Sequence, residues 1–195
     1  MAWKRIKRSV PRARRVSRAK PSRALVVGRF QPFHFGHLHA IRYAMKHAEE
    51  IVIGLGSAQI AFTLRNPLTV DERYEMIVRA LRAEGLPLGR FYFSPIPDTE
   101  SPEEDWGEIV LDRVPRVDVA FSNDRETQED LSRVGIEVRP IPFYRRDLFQ
   151  ATHIREMAAK GDRLWRQLVP RPVAQFLDEV GFEARMRSIA GNRPG

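Results

Sequence analysis

The feature that most limits the fold of this chain is an alternation of short β-branched runs with amphipathic helical patterns. Strands are predicted at 24–28, 50–54, 91–96, 117–121 and 136–141, and helices at 36–48, from Thr69 onward, at 103–114 and at 125–134. Strands separated by helices form a parallel sheet that is covered on both faces. We therefore predict an α/β fold, a Rossmann-like doubly wound sheet of about five strands, with a helical C-terminus from Thr152.

Local signals support two of these helices. Thr69 and Glu72 have the spacing of a capping box, and Met76, Ile77 and Ala80 recur at helical spacing behind them. In the C-terminal part, Gly161 and Gly181 are plausible stops, because glycine readily adopts the left-handed conformation that ends many helices.

Composition fits one soluble domain at 24–195. Of the 195 residues, 43% are hydrophobic, which is enough for a sizeable core. No run approaches the roughly 18 apolar residues of a membrane helix, so we expect no membrane association and a cytoplasmic location. The chain has no cysteine, which excludes disulfides, thiolate catalysis and thiolate metal sites.

The positive charge is concentrated in an N-terminal arm, residues 1–23. Ten of the 33 Lys and Arg residues lie there without a single acid, which leaves 23 basic and 25 acidic residues in the rest of the chain. The body is therefore near neutral. Such an arm could bind nucleic acid or acidic lipid through its cations, or it could be a disordered, solvated extension.

Polar residues follow the first predicted strand, where ligands bind in open parallel sheets. Residues 28–37 read GRFQPFHFGH and lead into a helix. Gly28 permits a close turn, and His34 and His37 flank Gly36 at a helix N-terminus that favours anions. This pattern predicts a polyphosphate site. A zinc site built on the two histidines is disfavoured, because no third ligand lies nearby.

This stretch resembles the HxGH signature of nucleotidylyltransferases, and the longer string resembles the archaeal-type nicotinamide mononucleotide (NMN) adenylyltransferases. Further matching strings are GSAQ at 56–59, TLRNPLTVDER at 63–73, IPD at 96–98, Trp106, FSN at 121–123 and THIR at 152–155. The resemblance covers roughly residues 24–182. It implies formation of NAD and pyrophosphate from ATP and NMN, with Mg²⁺ bound to ATP, and a homo-oligomer, a hexamer in relatives.

The resemblance also implies roles for single residues. Catalysis falls to His34, His37 and Arg155, which would stabilise charge on the α-phosphate and on the leaving pyrophosphate. The ATP-binding residues are Gly28, Arg29, Phe30, His34, Gly36, His37, Ser122, Asn123, Arg125, Thr152 and Arg155. We expect Thr152 to cap the helix that carries Arg155, although QATH at 150–153 departs from the family's usual Ser-Gly-Thr-Glu.

The NMN-binding residues are expected to be Ser57, Arg65, Asp98 and Trp106. The Trp106 indole can stack on the positively charged pyridinium ring, and Asp98 can accept from the carboxamide or the ribose. Two alternatives stay open at this point. One is an adenylyltransferase with another phosphate acceptor, such as FMN, phosphopantetheine or a sugar phosphate. The other is a nucleic-acid-binding or regulatory protein that acts through the arm.

Overall fold

The structure is a computed structural model that describes residues 20–142, 144–145 and 148–191. Its centre is a five-stranded, all-parallel sheet with the strand order β3-β2-β1-β4-β5. The strands are β1 (Arg23–Gly28), β2 (Glu50–Leu55), β3 (Phe91–Pro95), β4 (Val119–Phe121) and β5 (Val138–Arg139). The predicted doubly wound α/β fold is confirmed.

Seven α-helices accompany the strands in the part of the chain that the structure describes. They are α1 (Phe35–His47), α2 (Val70–Ala83), α3 (Trp106–Arg113), α4 (Arg125–Arg133), α5 (Ala151–Ala159), α6 (Arg171–Glu179) and α7 (Phe182–Gly191). Short 3₁₀ turns occupy Leu88–Arg90 and Arg163–Leu168. None of these helices is long and apolar enough to cross a bilayer.

Alternating side chains of the strands divide the core into two layers. Along β1, Ala24 and Val26 belong to the larger core with α1, α2 and the C-terminal helices, whereas Leu25 faces the smaller core beneath α3 and α4. This is the two-residue period of a strand that is buried on both faces. The larger core continues to Trp165 and Phe182, so the C-terminal helices are part of the same domain.

The capping signals are confirmed. Thr69 Oγ1 accepts from the Glu72 N–H at 3.2 Å, and the Glu72 carboxylate accepts from the Thr69 N–H at 2.9 Å. Gly161 and Gly181 follow α5 and α6 with φ angles of +74° and +67°. Both helices therefore end on the left-handed glycines that the sequence indicated.

Residues 1–19 of the basic arm lie outside the described part of the chain, and with them most of the segment that could bind nucleic acid or acidic lipid. Its last residues join the body. Arg23 is the first residue of β1 and pairs with Glu50 at 2.6 Å, and Lys20 Nζ donates to the Met45 carbonyl at 3.0 Å. The sheet thus begins one residue before the boundary predicted at 23/24.

Candidate nucleotide site

The largest cavity of the candidate site, about 680 Å³, lies beyond the carboxyl ends of β1, β2 and β4. The chain runs from β1 outward to β2 and β3, and then returns to β4 and β5 on the other side of β1. The position between β1 and β4 is therefore the switch point of the sheet, where such folds bind ligands. Of the residues singled out in the sequence, those that line the cavity are Gly28, Arg29, Ser57, Arg65, Asp98, Trp106 and Ser122.

Two smaller cavities adjoin it. One of about 280 Å³ is lined by His34, Gly36, His37 and Asn123, and it shares Asp124 with the main cavity. The other, about 470 Å³, is lined by Thr152 and Arg155 and shares Arg65 with the main cavity. The expected phosphate and mononucleotide residues therefore gather around one edge of the sheet.

The two histidines close the N-terminus of α1. His34 is the N-cap, and its Nδ1 accepts from the Gly36 N–H at 3.1 Å; His37 Nδ1 accepts from the His34 N–H at 3.3 Å. The rings stack with centroids 3.7 Å apart. Because each Nδ1 is an acceptor, the hydrogen-bond network assigns the proton to Nε2. Both imidazoles then keep one N–H donor for a ligand.

Burial holds this pair in the neutral form. Desolvation lowers the pKa of His34 to about 4. Desolvation also lowers the pKa of His37 well below its usual value, and the neighbouring His34 adds to that shift. At physiological pH the pair therefore offers neutral Nε2–H donors, and the positive charge of the site comes from other residues.

That charge comes from three arginines, Arg29, Arg65 and Arg155. Burial, and after it repulsion from Arg29 and Arg65, lowers the pKa of Arg155 to about 10. The pKa of Arg29 is lowered by burial and then by Arg65. Neither Arg29 nor Arg65 has a side-chain ion pair among residues 20–142, 144–145 and 148–191. Cations that repel one another in a partly desolvated cavity favour a polyanionic ligand.

Arg155 is tied to the histidine loop. Its Nη1 donates to the Gln31 carbonyl at 2.9 Å, and its Nη2 donates to Thr152 Oγ1 at 3.1 Å. The prediction that Thr152 caps the helix is wrong, because α5 begins at Ala151 with Gln150 as the N-cap. Thr152 lies in the first turn, and its hydroxyl orients the Arg155 guanidinium instead.

The opposite wall of the main cavity carries the residues expected to bind the mononucleotide. Ser57 Oγ donates to Asp98 Oδ1 at 3.0 Å, and the Gln59 amide exchanges hydrogen bonds with the Asp98 backbone. Trp106 is the first residue of α3 and is half-buried against the smaller core. Its indole also borders a side cavity of about 260 Å³ that Asp98 shares.

Three of the expected ATP-binding residues have side chains that contact other parts of the protein. The Phe30 side chain is buried and packs edge-on against His37, with centroids 4.8 Å apart, so it supports the imidazole from the core side. The Asn123 side-chain amide donates to the Ile141 carbonyl at 2.7 Å and accepts from the Ile141 N–H at 2.8 Å. Arg125 has a 90% exposed side chain that pairs with Glu129. Its side chain points away from the cavities.

The structure adds three residues to which the sequence analysis assigned no role. Gln31 exchanges two 2.9 Å hydrogen bonds with the Leu68 backbone and so fixes the histidine loop to the start of α2. Asn66 lines the main cavity, and its Oδ1 is buried without a hydrogen-bond partner in the described chain. Arg73 is fully buried in α2. A signal for Arg73 existed, because position 73 falls on the apolar stripe of Met76, Ile77 and Ala80.

No group of three or more His, Asp or Glu side chains that could hold a metal ion occurs among the described residues.

A doubly wound sheet with neutral histidine donors and unpaired arginines at its switch point defines a Rossmann-like protein that binds phosphate-rich ligands. The model of the cytidylyltransferase-like family matches residues 25–188. The chain belongs to this family.

Two archaeal enzymes are similar in sequence to this chain over most of its length. The chain is 40% identical over 170 residues to a nicotinamide-nucleotide adenylyltransferase of Thermococcus kodakarensis, which covers 87% of this chain and 89% of the relative. It is 37% identical over 171 residues to the enzyme of that name from Pyrococcus furiosus, covering 87% and 90%.

A similar solved structure supports the fold. A bifunctional NMN adenylyltransferase/ADP ribose pyrophosphatase of Francisella tularensis, complexed with AMP and a manganese ion, matches with a TM-score of 0.70 at 20% identity. The match covers 88% of this chain and 52% of that structure, so the chain spans about half the length of that protein.

Proposed function

We propose that this protein is a nicotinamide-nucleotide adenylyltransferase, which converts ATP and NMN to NAD and pyrophosphate. The observation that carries the proposal is the identity of about 40% with archaeal enzymes of that name over nearly the whole of both chains. The site supports it, since the arginines and histidines suit a triphosphate and the Ser57–Asp98–Trp106 wall suits a nucleotide with an aromatic cation.

The reaction requires positioning more than covalent chemistry. An oxygen of the NMN phosphate attacks the α-phosphorus of ATP, a new P–O bond forms, and the bond from the α-phosphorus to the bridging oxygen of the β-phosphate breaks. The attacking phosphate is already ionised near pH 7, so no general base is needed. The enzyme has to hold two anions in line and stabilise the charge that develops on the leaving pyrophosphate.

The two neutral histidines and the three arginines each have a task in this scheme. The Nε2–H groups of His34 and His37 donate to phosphate oxygens, and such donors are effective because they are aligned before the reaction begins. Arg155, held by Gln31 and Thr152, binds the β- and γ-phosphates of ATP. Arg29 binds the ATP phosphates, and Arg65 neutralises the phosphates where the two substrates meet. Once the ligand is bound, the attraction of each arginine to the phosphates offsets the repulsion between the arginines.

Mg²⁺ enters this scheme as part of the substrate, the Mg·ATP complex, in which it neutralises charge on the phosphates and keeps most of its waters. We place the reaction in the cytoplasm and include a homo-oligomer, with a hexamer as the expected state. Binding of nucleic acid through residues 1–23 stays a separate hypothesis. A variant that starts at Lys20 tests it, because this deletion leaves the Arg23–Glu50 pair intact.

The deciding experiment incubates purified protein with ATP and Mg²⁺ and, in separate reactions, NMN, its deamidated form, FMN or phosphopantetheine. We expect NAD or its deamidated analogue together with an equal amount of pyrophosphate, and no product when EDTA removes the metal. Product from FMN or phosphopantetheine alone would refute the proposed acceptor. No dinucleotide with either pyridine mononucleotide would refute the function itself.

A further inference from the structure

Arg73 is the most unusual buried group of the described chain. It is 0% exposed, it lies on the apolar stripe of α2, and it has no carboxylate at ion-pair distance among the described residues. Burial lowers the pKa of its guanidinium to about 10, which leaves the group charged at neutral pH. A buried charge without a counter-ion is costly, so its hydrogen bonds need an explanation.

All of its hydrogen bonds go to backbone carbonyls. Nη1 donates to the Arg29 carbonyl at 3.0 Å and to the Gly56 carbonyl at 2.6 Å, and Nη2 donates to the Ser57 carbonyl at 3.3 Å. Nε donates to the carbonyl of Thr69 at 3.3 Å, the N-cap of its own helix. One planar group therefore joins the carboxyl ends of β1 and β2 to α2.

Both joined strand ends contain backbone conformations that need support. Phe30, which follows Arg29, has a φ of +50°, and Ser57 has a φ of +49°. Left-handed conformations at non-glycine residues are strained and persist only where the surroundings enforce them. The Arg73 guanidinium binds the carbonyl next to the first of these residues and the carbonyl of the second.

These two strand ends, the corners of the site, carry residues that we assign to different substrates. Arg29 follows β1 on the side of the ATP phosphates, whereas Ser57 follows β2 and holds Asp98 on the side of the mononucleotide. We propose that Arg73 is a positioning residue that sets the alignment of the two substrates by clamping the ends of β1 and β2 at a fixed separation. The inference rests on the proposed function, because it assigns one substrate to each corner.

Lysine at position 73 keeps the charge but has a single nitrogen, which cannot span carbonyls that three guanidinium nitrogens reach. For Arg73→Lys we expect kcat to fall by about 10-fold or more, since misplacement by about 1 Å can cost up to 100-fold. The KM for ATP should stay within about 3-fold, because Arg29, Arg155 and the histidines are unchanged. Turnover is expressed per ATP-competent site, counted by equilibrium binding of a non-hydrolysable ATP analogue, so that partial unfolding is not mistaken for slower chemistry.

Arg185→Lys is the matched control. Arg185, in α7, also binds carbonyls, those of Pro67 and Val180, and it pairs with Glu72 at 2.7 Å, but it has no hydrogen bond to the ends of β1 or β2. This variant should lose stability and keep wild-type kcat per competent site. A folded Arg73→Lys protein with the same behaviour would overturn the proposal. If neither Arg73→Lys nor Arg73→Met can be obtained folded, Arg73 is a structural residue and the proposal is overturned as well.

The wild-type protein separates this inference from the proposed function. If the wild-type enzyme forms dinucleotide and the Arg73→Lys variant has an unchanged kcat, only the clamp is refuted. Wild-type enzyme that forms none with any pyridine mononucleotide refutes the function on which the clamp rests.

Discussion

The neutral state of His34 makes a quantitative prediction about stability in acid. The histidine has a pKa of about 4 in the folded protein and about 6.5 in the unfolded chain. Between these values the unfolded chain binds more protons, so stability falls as the pH decreases from above 6.5 toward 4. The loss is complete only below the folded pKa, where the Gly36 N–H also loses its acceptor.

The size of the effect follows from the two pKa values. Between pH 7 and pH 5, proton uptake by an unfolded histidine with these constants lowers the free energy of unfolding by about 2 kcal/mol. Because His34 is only 7% exposed, little of this is lost to solvent screening. His37 titrates in the same direction, so the whole protein should lose more than His34 alone explains.

His34→Asn isolates the contribution of the one group. Asparagine is among the best N-cap residues and places an acceptor near the position of Nδ1, but it does not titrate. The free energy of unfolding of both proteins is measured by chemical denaturation at pH 7 and pH 5, followed by far-ultraviolet circular dichroism. We expect the wild-type protein to lose about 2 kcal/mol more than the variant over this interval. Equal losses would show that His34 is not held neutral by burial and would refute the assignment of its donor.

Three further predictions concern single side chains. His37→Ala should fold and lower kcat by about 100-fold or more, since one aligned donor contributes several kcal/mol to transition-state stabilisation; near-normal turnover would contradict the assigned role. Trp106→Ala should raise the KM for NMN far more than the KM for ATP, and steady-state kinetics with equal effects on both would remove the stacking role. Gly107→Ala should destabilise the protein by about 1–3 kcal/mol with little change in kcat, because a Cβ there would lie 2.6 Å from the Asp130 carbonyl oxygen; an unchanged thermal midpoint would show that α3 and α4 are packed less tightly.

The sequence predicts the sheet better than its edges, for a physical reason. Residues 51–55 pair on both sides, and β2 extends from Glu50 to Leu55, close to the predicted range of 50–54. The pattern at 136–141 also predicts a strand, but only Val138–Arg139 pair. β5 is an edge strand whose one neighbour, β4, has three residues, and the Ile141 backbone bonds to the Asn123 amide instead. Local pattern cannot reveal where a partner strand ends.

Helix starts show a related limit. Residues 103–105 read EED, and the predicted helix at 103–114 includes all three. In the structure α3 begins at Trp106, because the Asp105 carboxylate accepts from the Gly107 N–H at 2.7 Å and ends the preceding loop. Any of the three acids suits a helix N-terminus, and the choice among them depends on tertiary contacts such as the 2.8 Å Asp105–Arg133 ion pair.

The same reasoning explains which parts of the site a sequence can predict. The histidines and arginines that we propose as ligand-binding residues can be recognised in the sequence because their chemistry is unusual at those positions, as with His34, His37 and Arg155. Gln31 and Arg73 act on backbone carbonyls and amides, which every sequence position possesses, so no partner residue reveals them. What reveals Arg73 is a conflict between its residue type and its position, because a permanent cation lies on a buried apolar stripe. Such conflicts are expected at functional sites, and here the buried cation binds the carbonyls at the ends of β1 and β2, the two strand ends that we propose it holds in line.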